Sequence, residues 1–320
     1  MASPEARLAP LSSGQRWRYR QRFPSANCTA IQTAGTSARP PAILVLVPGM
    51  GRESHVASMR SNVEWLRRKS QEIDLECVVY VYRELGLPPD ALSPCQLLLR
   101  ENFSWAAALH SFDASHQRRH DFVLVWDADV SPRENVDLCA MASVMGLFAL
   151  DLACASFDEA SPKGPYGVMQ SQRGSFGRFS NFCEIGQFGL FRPWAFGCAQ
   201  RLYDPEVAPM GWGVDLLFHG ACGRQSPTGQ TRIAVLDAMT VSDTSMGSYD
   251  YDNAWRGMLD YVGSRVQDGP VFDPNVHAHL PRHFGLTGSW IRNLGEVPWP
   301  VSPARRAALA AGEKASERAG

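Results

Sequence analysis

The sequence predicts an α/β domain in which a mixed, mainly parallel sheet is flanked by helices. Short apolar runs, rich in β-branched and aromatic residues, recur along the chain and are typical of strands buried on both faces. Amphipathic or apolar segments of helical length lie between them. This alternation favours parallel strands that are joined by right-handed crossovers.

Composition narrows the functional classes. The chain has 320 residues, of which 45% are hydrophobic and 20% charged, and its net charge is −1. These values are typical of a soluble globular protein and give no argument for nucleic-acid binding. No stretch approaches the roughly 20 apolar residues of a membrane span, and the first residues lack the apolar core of a signal peptide. We therefore expect a cytoplasmic protein without a transmembrane segment.

The eight cysteines are scattered, and none forms a Cys-x-x-Cys pair. Neither a zinc knuckle nor a thioredoxin-type site is therefore expected. Cys77, Cys139 and Cys154 lie inside apolar runs, which favours small core residues over disulfides and a reducing compartment.

Composition also divides the chain. Residues 1–40, rich in Ala, Ser, Pro and Arg, are predicted to be a mobile basic arm; residues 41–290 form one domain, and residues 291–320 a surface tail. Within the arm, the stretch 16–22 alternates cations with aromatics. It could contact phosphates or a membrane surface, or it could be an edge strand.

The first elements follow the domain's start. Ile43–Val47 is predicted to be a strand, and Pro48 and Gly49 begin a glycine-containing turn whose backbone N–H groups could receive a nucleotide. The turn does not have the G-x-G-x-x-G pattern of dinucleotide-binding folds. An amphipathic helix over Ser54–Lys69 and a strand over Leu75–Tyr82 follow.

The most informative strand ends in two carboxylates. The apolar run that begins at Phe122 stops at Asp127 and Asp129. Because ligands bind at the carboxyl ends of parallel strands, these side chains are candidates for holding Mg²⁺ or Mn²⁺. The alternative is a solvated surface turn. Ser131–Glu134 has the form of a capping box with Pro at the first helical position, which predicts that a helix begins there.

The second half adds three candidate residues. Asn181–Phe191 is predicted to be a strand with one embedded carboxylate, Glu184. Trp212 lies in a glycine-flanked turn, and Asp215 lies near the start of the following helix. A late buried strand, Ile233–Leu236, leads to a polar turn that contains Asp243.

In combination, these blocks resemble the GT-A class of nucleotide-sugar glycosyltransferases. More narrowly, they resemble a family of mostly plant proteins known only as a domain of unknown function with a GT-A-like fold. The matching blocks cover residues 123–129, 182–184, 210–215 and 233–243, within a similarity that spans about residues 41–250. The Asp-x-Asp and Gly-Trp-Gly-x-Asp blocks together carry the resemblance.

The resemblance implies a function and roles for the candidate residues. A sugar would pass from a nucleoside diphosphate sugar to an acceptor hydroxyl, on a glycan or glycoconjugate. Asp129 would ligate the metal, and Asp127 would face the ribose or a metal-bound water. Asp215 would be the general base. Trp212 would stack on a sugar, or be a core residue.

Two roles stay open. Glu184 is either a second acid/base or acceptor ligand, or a structural partner for an arginine such as Arg178. The family has His where this chain has Asp243, at a position that often supplies a third metal ligand. A carboxylate also suits Mg²⁺ or Mn²⁺. A pair such as His277 and His279, or His283, could substitute for it, although a polar loop is the simpler interpretation.

Two other functions fit parts of the pattern. A metal-dependent phosphoryl-transfer enzyme or nuclease also uses paired aspartates, with further carboxylates for a second metal, but leaves the glycine–tryptophan turn unexplained. A carbohydrate-binding protein that kept the fold and lost turnover is the non-enzymatic alternative.

Overall fold

The computed structural model describes residues 17–18, 40–69, 73–100, 104–113, 117–159, 161, 169–172, 176–223, 225–226, 229, 231–243, 258, 261–262, 264 and 293–297. The strands in these ranges are β1 (Trp17–Arg18), β2 (Ala42–Met50), β3 (Asp74–Val81), β4 (Gln96–Leu99), β5 (Phe122–Val125), β6 (Val130–Pro132), β7 (Leu152–Phe157), β8 (Gly177–Ser180), β9 (Gly189–Phe191), β10 (Ile233–Asp243) and β11 (Asn293–Val297). The helices are α1 (Glu53–Lys69), α2 (Trp105–His110), α3 (Leu138–Leu147), α4 (Ile185–Phe188), α5 (Pro193–Leu202) and α6 (Val214–Gly223).

All of these strands belong to one mixed sheet. Its order is β1-β3-β2-β5-β9-β7-β10-β8-β11, with β4 beside β3 and β6 beside β10. The longest registers, β2 with β3 and β7 with β10, are parallel, as are β2 with β5 and β3 with β4. The short strand β9 runs antiparallel between β5 and β7. A mixed sheet flanked by helices confirms the predicted fold class.

The apolar runs form the centre of the sheet. All nine residues of β2, all four of β5 and all six of β7 are buried. Burial on both faces explains why these strands are continuously apolar and do not alternate. Helix α1 covers them with Val56, Met59, Val63 and Leu66, all buried as its amphipathic pattern predicted. The carboxyl end of β5 therefore opens in the middle of the sheet.

Two short strands come from the predicted terminal segments. Trp17 pairs with Leu75, so that β1 lies at the edge of the sheet, as the edge-strand interpretation of this stretch predicted. At the other edge, β11 pairs antiparallel with β8. The division into arm, domain and tail stays a prediction.

The capping-box prediction was wrong. Ser131 and Pro132 belong to strand β6, which pairs with β10. The next helix, α3, begins at Leu138, where the Asp137 side chain accepts a hydrogen bond from the backbone N–H of Ala140 at 3.0 Å. Pairing with a distant strand has overridden the local helix-start signal.

The interpretation of the cysteines was also wrong. Disulfides join Cys77 to Cys95, Cys154 to Cys183 and Cys198 to Cys222, with Cα–Cα distances of 4.4, 6.3 and 5.9 Å. None of the cysteines in the described part of the chain is free. Buried position within an apolar run did not distinguish paired from unpaired sulfur. The cysteines therefore no longer favour a reducing compartment, and cytoplasmic location stays a prediction.

In the ranges that the structure describes, no helix combines the length and apolarity needed to cross a bilayer.

The Cys198–Cys222 disulfide links α5 to α6 across 24 residues. Cys198→Ala with Cys222→Ala should lower the free energy of unfolding by about 3 kcal/mol, because the reduced chain gains loop entropy when it unfolds. Chemical denaturation without reductant would measure this. With dithiothreitol present, the difference from the wild type should shrink to the loss of packing alone. A difference that reductant does not change would show that the pair is unbridged.

Candidate active site

The two aspartates lie at the carboxyl end of central strand β5, as predicted. The backbone fixes the turn that carries them: the N–H of Asp127 donates to the Gly186 carbonyl at 2.8 Å, and the N–H of Val130 donates to the Asp127 carbonyl at 3.1 Å. The buried Trp126, which directly precedes Asp127, donates its indole N–H to the carbonyl of Val130 at 2.9 Å. Both carboxylates are half-buried.

Asp243 is brought to this turn by strand pairing. The late strand continues beyond the predicted Leu236, through an irregularity in its pairing with β7. Its last residues then pair with β6, where Asp243 lies opposite Val130. The N–H of Asp243 donates to the Ser161 hydroxyl at 3.1 Å. Strand pairing therefore places Asp243, a third carboxylate, opposite the residue that directly follows Asp129.

Asp127 has the most unusual environment of the group. Its Oδ1 accepts the indole N–H of Trp105 at 2.5 Å. Burial raises its pKa well above the usual range; the charges of Asp129 and Asp243 add to this, and the Trp105 hydrogen bond opposes it. The carboxylates are close enough to repel one another, so a cation at this position would be stabilised.

Glu184 lies at the start of a helix and not, as predicted, inside a strand. It is the N-cap residue of α4, in a segment where α4 and β9 replace the predicted single strand. The Gln187 side-chain amide donates to its Oε1 at 3.3 Å. Burial, above all, and then the charge of Asp215 raise the pKa of Glu184 to about 8.

The predicted alternative partner of Glu184 binds elsewhere. Arg178 lies within 3.3 Å of Asp237, and both side chains are buried. It also donates to the carbonyl of Gln170 at 2.9 Å. Glu184 is therefore not the carboxylate that Arg178 neutralises in this ion pair.

Asp215 lies in the first turn of α6, as predicted. Its Oδ1 accepts the backbone N–H of Leu216 at 3.0 Å. Burial raises its pKa to about 6, while hydrogen bonds from backbone N–H groups hold it lower. The charge of Asp215 acts on Glu184, and this places the two carboxylates in one electrostatic group.

The turn before Asp215 depends on two glycines. Gly211 and Gly213 have φ of 72° and 95°, in the region that disfavours side chains. A Cβ on Gly211 would lie 2.5 Å from a ring carbon of Trp105, and one on Gly213 would lie 2.7 Å from Val262. Between them, Trp212 is half-buried against the core. Its predicted role in sugar stacking stays a prediction.

Pro48 and Gly49 do not form the predicted open turn. Strand β2 continues through both to Met50, and both are buried. The ring of Tyr82 fills the space above Gly49, where any Cβ would overlap it. Their predicted role in receiving a nucleotide through free backbone N–H groups therefore lacks the exposed turn on which it rested.

Sequence reasoning missed the cationic side of the site. The Nε2 of His55, in the first turn of α1, lies 4.0 Å from Oδ2 of Asp129. The backbone N–H of Gly51 donates to its Nδ1 at 3.4 Å, so the proton of the neutral ring lies on Nε2. Burial lowers the pKa of His55; Asp129 opposes this, and Arg52 and Arg83 add to it. No local motif marks these three residues, because helix α1 and the end of β3 meet only in the fold.

The side chains at the aspartate turn have the chemistry of a divalent-metal site. Carboxylate oxygens are the ligands that Mg²⁺ and Mn²⁺ prefer, and a cation would relieve the mutual repulsion of Asp127, Asp129 and Asp243. In the described ranges, however, no three His, Cys, Asp or Glu side chains already form a metal-binding group. The chemistry therefore fits, and ligation would require side-chain adjustment. The candidates His277, His279 and His283 lie outside the described residues.

Solved structures with a similar course of the chain include two sugar transferases. The mannosyltransferase PcManGT from Pyrobaculum calidifontis, in complex with GDP-Man and Mn²⁺, is 16% identical, with a TM-score of 0.47, over 87% of this chain and 81% of that chain. Mannosyl-3-phosphoglycerate synthase from Rubrobacter xylanophilus is 12% identical, with a TM-score of 0.41, over 73% of this chain and 76% of that chain. A mycobacterial protein is 12% identical, with a TM-score of 0.42, over 79% and 82%.

No protein-family model and no curated protein matches the chain. The identities and TM-scores of the solved structures are too low to assign an activity to this chain. The proposed chemistry therefore rests on the residues of the site.

Gly211→Ala should destabilise the protein more than an alanine at an unobstructed glycine of similar φ. The new Cβ would both strain the backbone, at about 1–2 kcal/mol, and collide with Trp105. Gly86→Ala is the matched control, since Gly86 has a φ of 61° and nothing within 4 Å of its Cβ position. Denaturant titration of both variants measures the difference. Equal losses would show that Trp105 does not pack against this turn.

Proposed function

We propose that the protein is a metal-dependent glycosyltransferase, which moves a sugar from a nucleoside diphosphate sugar to a hydroxyl group of a glycan or glycoconjugate. The observation that carries the proposal is the convergence of carboxylates from four parts of the chain at the carboxyl end of β5: Asp127 and Asp129, Glu184, Asp215 and Asp243. The sequence resemblance to GT-A enzymes supports it, because the same blocks supply these residues.

The donor would bind at the aspartate turn. Asp127, Asp129 and Asp243 are the residues that would hold Mn²⁺ or Mg²⁺, which when bound neutralises charge on the diphosphate leaving group. Arg52 and Arg83 act electrostatically on His55, which itself approaches Asp129. We expect the positive charges of these two guanidinium groups to attract the diphosphate.

The two remaining carboxylates have different proton affinities. With a pKa of about 6, Asp215 is ionised at neutral pH and can accept the proton of an acceptor hydroxyl. With a pKa of about 8, Glu184 is mostly protonated at neutral pH and can donate a hydrogen bond. Asp215 is therefore the general base, and Glu184 orients the acceptor.

A phosphoryl-transfer enzyme is the second candidate, since additional carboxylates next to the aspartate pair are what a second metal would need. Glu184 and Asp215 supply such carboxylates. A second metal would leave the Gly-Trp-Gly turn before Asp215 unexplained, and this favours glycosyl transfer. Hydrolysis of nucleotide sugars or phosphodiesters, compared in Mn²⁺ and in EDTA, would distinguish the two activities.

The non-catalytic alternative rested on the change from His to Asp243. Pairing with β6 brings Asp243 beside the aspartate turn, so the substitution replaces one possible ligand by another. A protein that binds nucleotide sugars in Mn²⁺ without transfer or hydrolysis would support that alternative.

Asp129→Ala should abolish metal-dependent binding of nucleotide sugars, because it removes an anion from the ligand set of a hard cation. A panel of nucleotide sugars, screened with Mn²⁺ by thermal shift and then by calorimetry, identifies the donor and measures the loss. Asp90→Ala, which removes an exposed carboxylate from the loop between β3 and β4, is the control. Full binding by Asp129→Ala would remove Asp129 from the metal site.

Asp215→Asn should leave donor binding intact and reduce transfer by roughly 10²–10⁴-fold, the typical effect of losing a general base. The amide is nearly isosteric but cannot take up the proton. Calorimetry with the identified donor and a transfer assay would separate the two effects. Wild-type transfer by this variant would make Asp215 a structural residue and Glu184 the better candidate base.

The rate of transfer should depend on the ionisation of Asp215. Because the base has to be deprotonated, kcat/KM should fall as the pH drops below about 6, the raised pKa of this carboxyl. A pH–rate profile of the wild type should show this acidic limb, and the residual activity of Asp215→Asn should lack it. An acidic limb that is the same in both proteins would assign it to another group.

A further inference from the structure

Trp105 contacts Asp127 and lies between the aspartate turn and the Gly-Trp-Gly turn, and the sequence gives no sign of this. Its indole N–H donates to Oδ1 of Asp127 at 2.5 Å. Its ring lies edge-on to that of Tyr203, with centroids 5.4 Å apart. Tyr203 is itself buried and experiences the charges of Asp215 and Asp127. One aromatic side chain therefore connects the metal side of the site with the acceptor side.

Two glycines form the space that the Trp105 ring occupies. A Cβ on Gly186 would lie 2.9 Å from its Cζ2 and 3.1 Å from Oδ2 of Asp127, and a Cβ on Gly211 would lie 2.5 Å from its Cε3. Both distances to the ring are shorter than ordinary van der Waals contact. The six-membered ring thus packs against bare backbone on the α4 side and on the side of the Gly-Trp-Gly turn.

The backbone around Trp105 is also fixed. Ser104 caps α2, since its side chain accepts the N–H of Ala107 at 3.1 Å. The N–H of Ala106 donates to the Pro209 carbonyl at 2.9 Å, which ties the start of α2 to the segment before Gly211. The indole is therefore held in place independently of Asp127, and it can position that carboxylate.

An indole donor has a property that suits a metal ligand. It is neutral and can only donate, so it fixes one carboxylate oxygen without supplying a positive charge. An arginine at this position would also orient Asp127, but it would cancel the negative charge that a cation needs. The contact orients the ligand and leaves its charge for the metal.

We infer that Trp105 is a positioning residue, which orients Asp127 for a divalent metal and fixes the position of this carboxylate relative to the Gly-Trp-Gly-x-Asp turn. This role rests on the proposed function for its metal. It assigns to the α2 helix a part in donor binding that the aspartate motif alone does not contain.

Trp105→Phe tests the inference, because it keeps an aromatic ring against both glycines and removes the N–H. Calorimetry with Mn²⁺ alone should show an affinity 10- to 100-fold lower than that of the wild type, the usual effect of losing the partner that orients a metal ligand. The control is Trp65→Phe, which removes the same volume without breaking a hydrogen bond, since the buried Trp65 indole N–H has no hydrogen-bond partner among the described residues. It should bind Mn²⁺ as the wild type does, even if its melting temperature falls equally.

A second measurement does not require a Trp105 variant, and so does not depend on whether Trp105→Phe folds. The indole N–H resonance of Trp105 in the wild type should lie at low field, as expected for a short hydrogen bond to a carboxylate, and should move upfield in Asp127→Asn. The positioning role alone would be overturned by an unchanged Mn²⁺ affinity in Trp105→Phe, or by an indole N–H resonance whose chemical shift is the same in Asp127→Asn as in the wild type. A wild type that binds no Mn²⁺ would overturn the proposed metal site, and this role with it.

Discussion

The burial of Asp127 at the end of β5 is the constraint on which the rest of the site depends. A carboxylate withdrawn from water is costly unless hydrogen bonds or a cation compensate for the lost hydration. The indole of Trp105 supplies one hydrogen bond, and the backbone around Gly186 fixes the turn. Neither of these supplies positive charge. The negative charges of the neighbouring Asp129 and Asp243 add to this cost, and the cation of the proposed metal site would offset it.

The sheet brings these charges together through one strand that changes partners. Strand β10 stays parallel to β7 on both sides of an irregularity between Leu236 and Thr240. Along its other edge, its antiparallel partner changes from β8 to β6. The last residue of β10, Asp243, therefore lies opposite Val130. The change of partner places a third carboxylate, from the late chain, beside the aspartate turn.

Sequence could predict what depends on short-range patterns. The buried strand before Asp127 and the helical position of Asp215 were both evident from local periodicity and glycine placement. The segment around Glu184 was not, because periodicity cannot distinguish a short buried helix from a strand. Disulfide connectivity cannot be deduced from spacing either. His55 and Trp105 have no motif, since only the packing of α1 and α2 brings them to the carboxylates.

The different roles proposed for Asp215 and Glu184 rest on their environments and not on residue type. Asp215 lies at the start of α6, where backbone N–H groups stabilise its charge and partly offset the effect of burial. Glu184 lies at the start of α4, but its side chain caps none of the backbone N–H groups there. Within the described residues, its carboxyl group accepts a hydrogen bond from the Gln187 side-chain amide, and it also faces the charge of Asp215. The pKa values of about 6 and about 8 follow from this difference. At neutral pH one group is ionised and the other is mostly protonated, which is the arrangement that acid–base chemistry at the proposed acceptor hydroxyl would require.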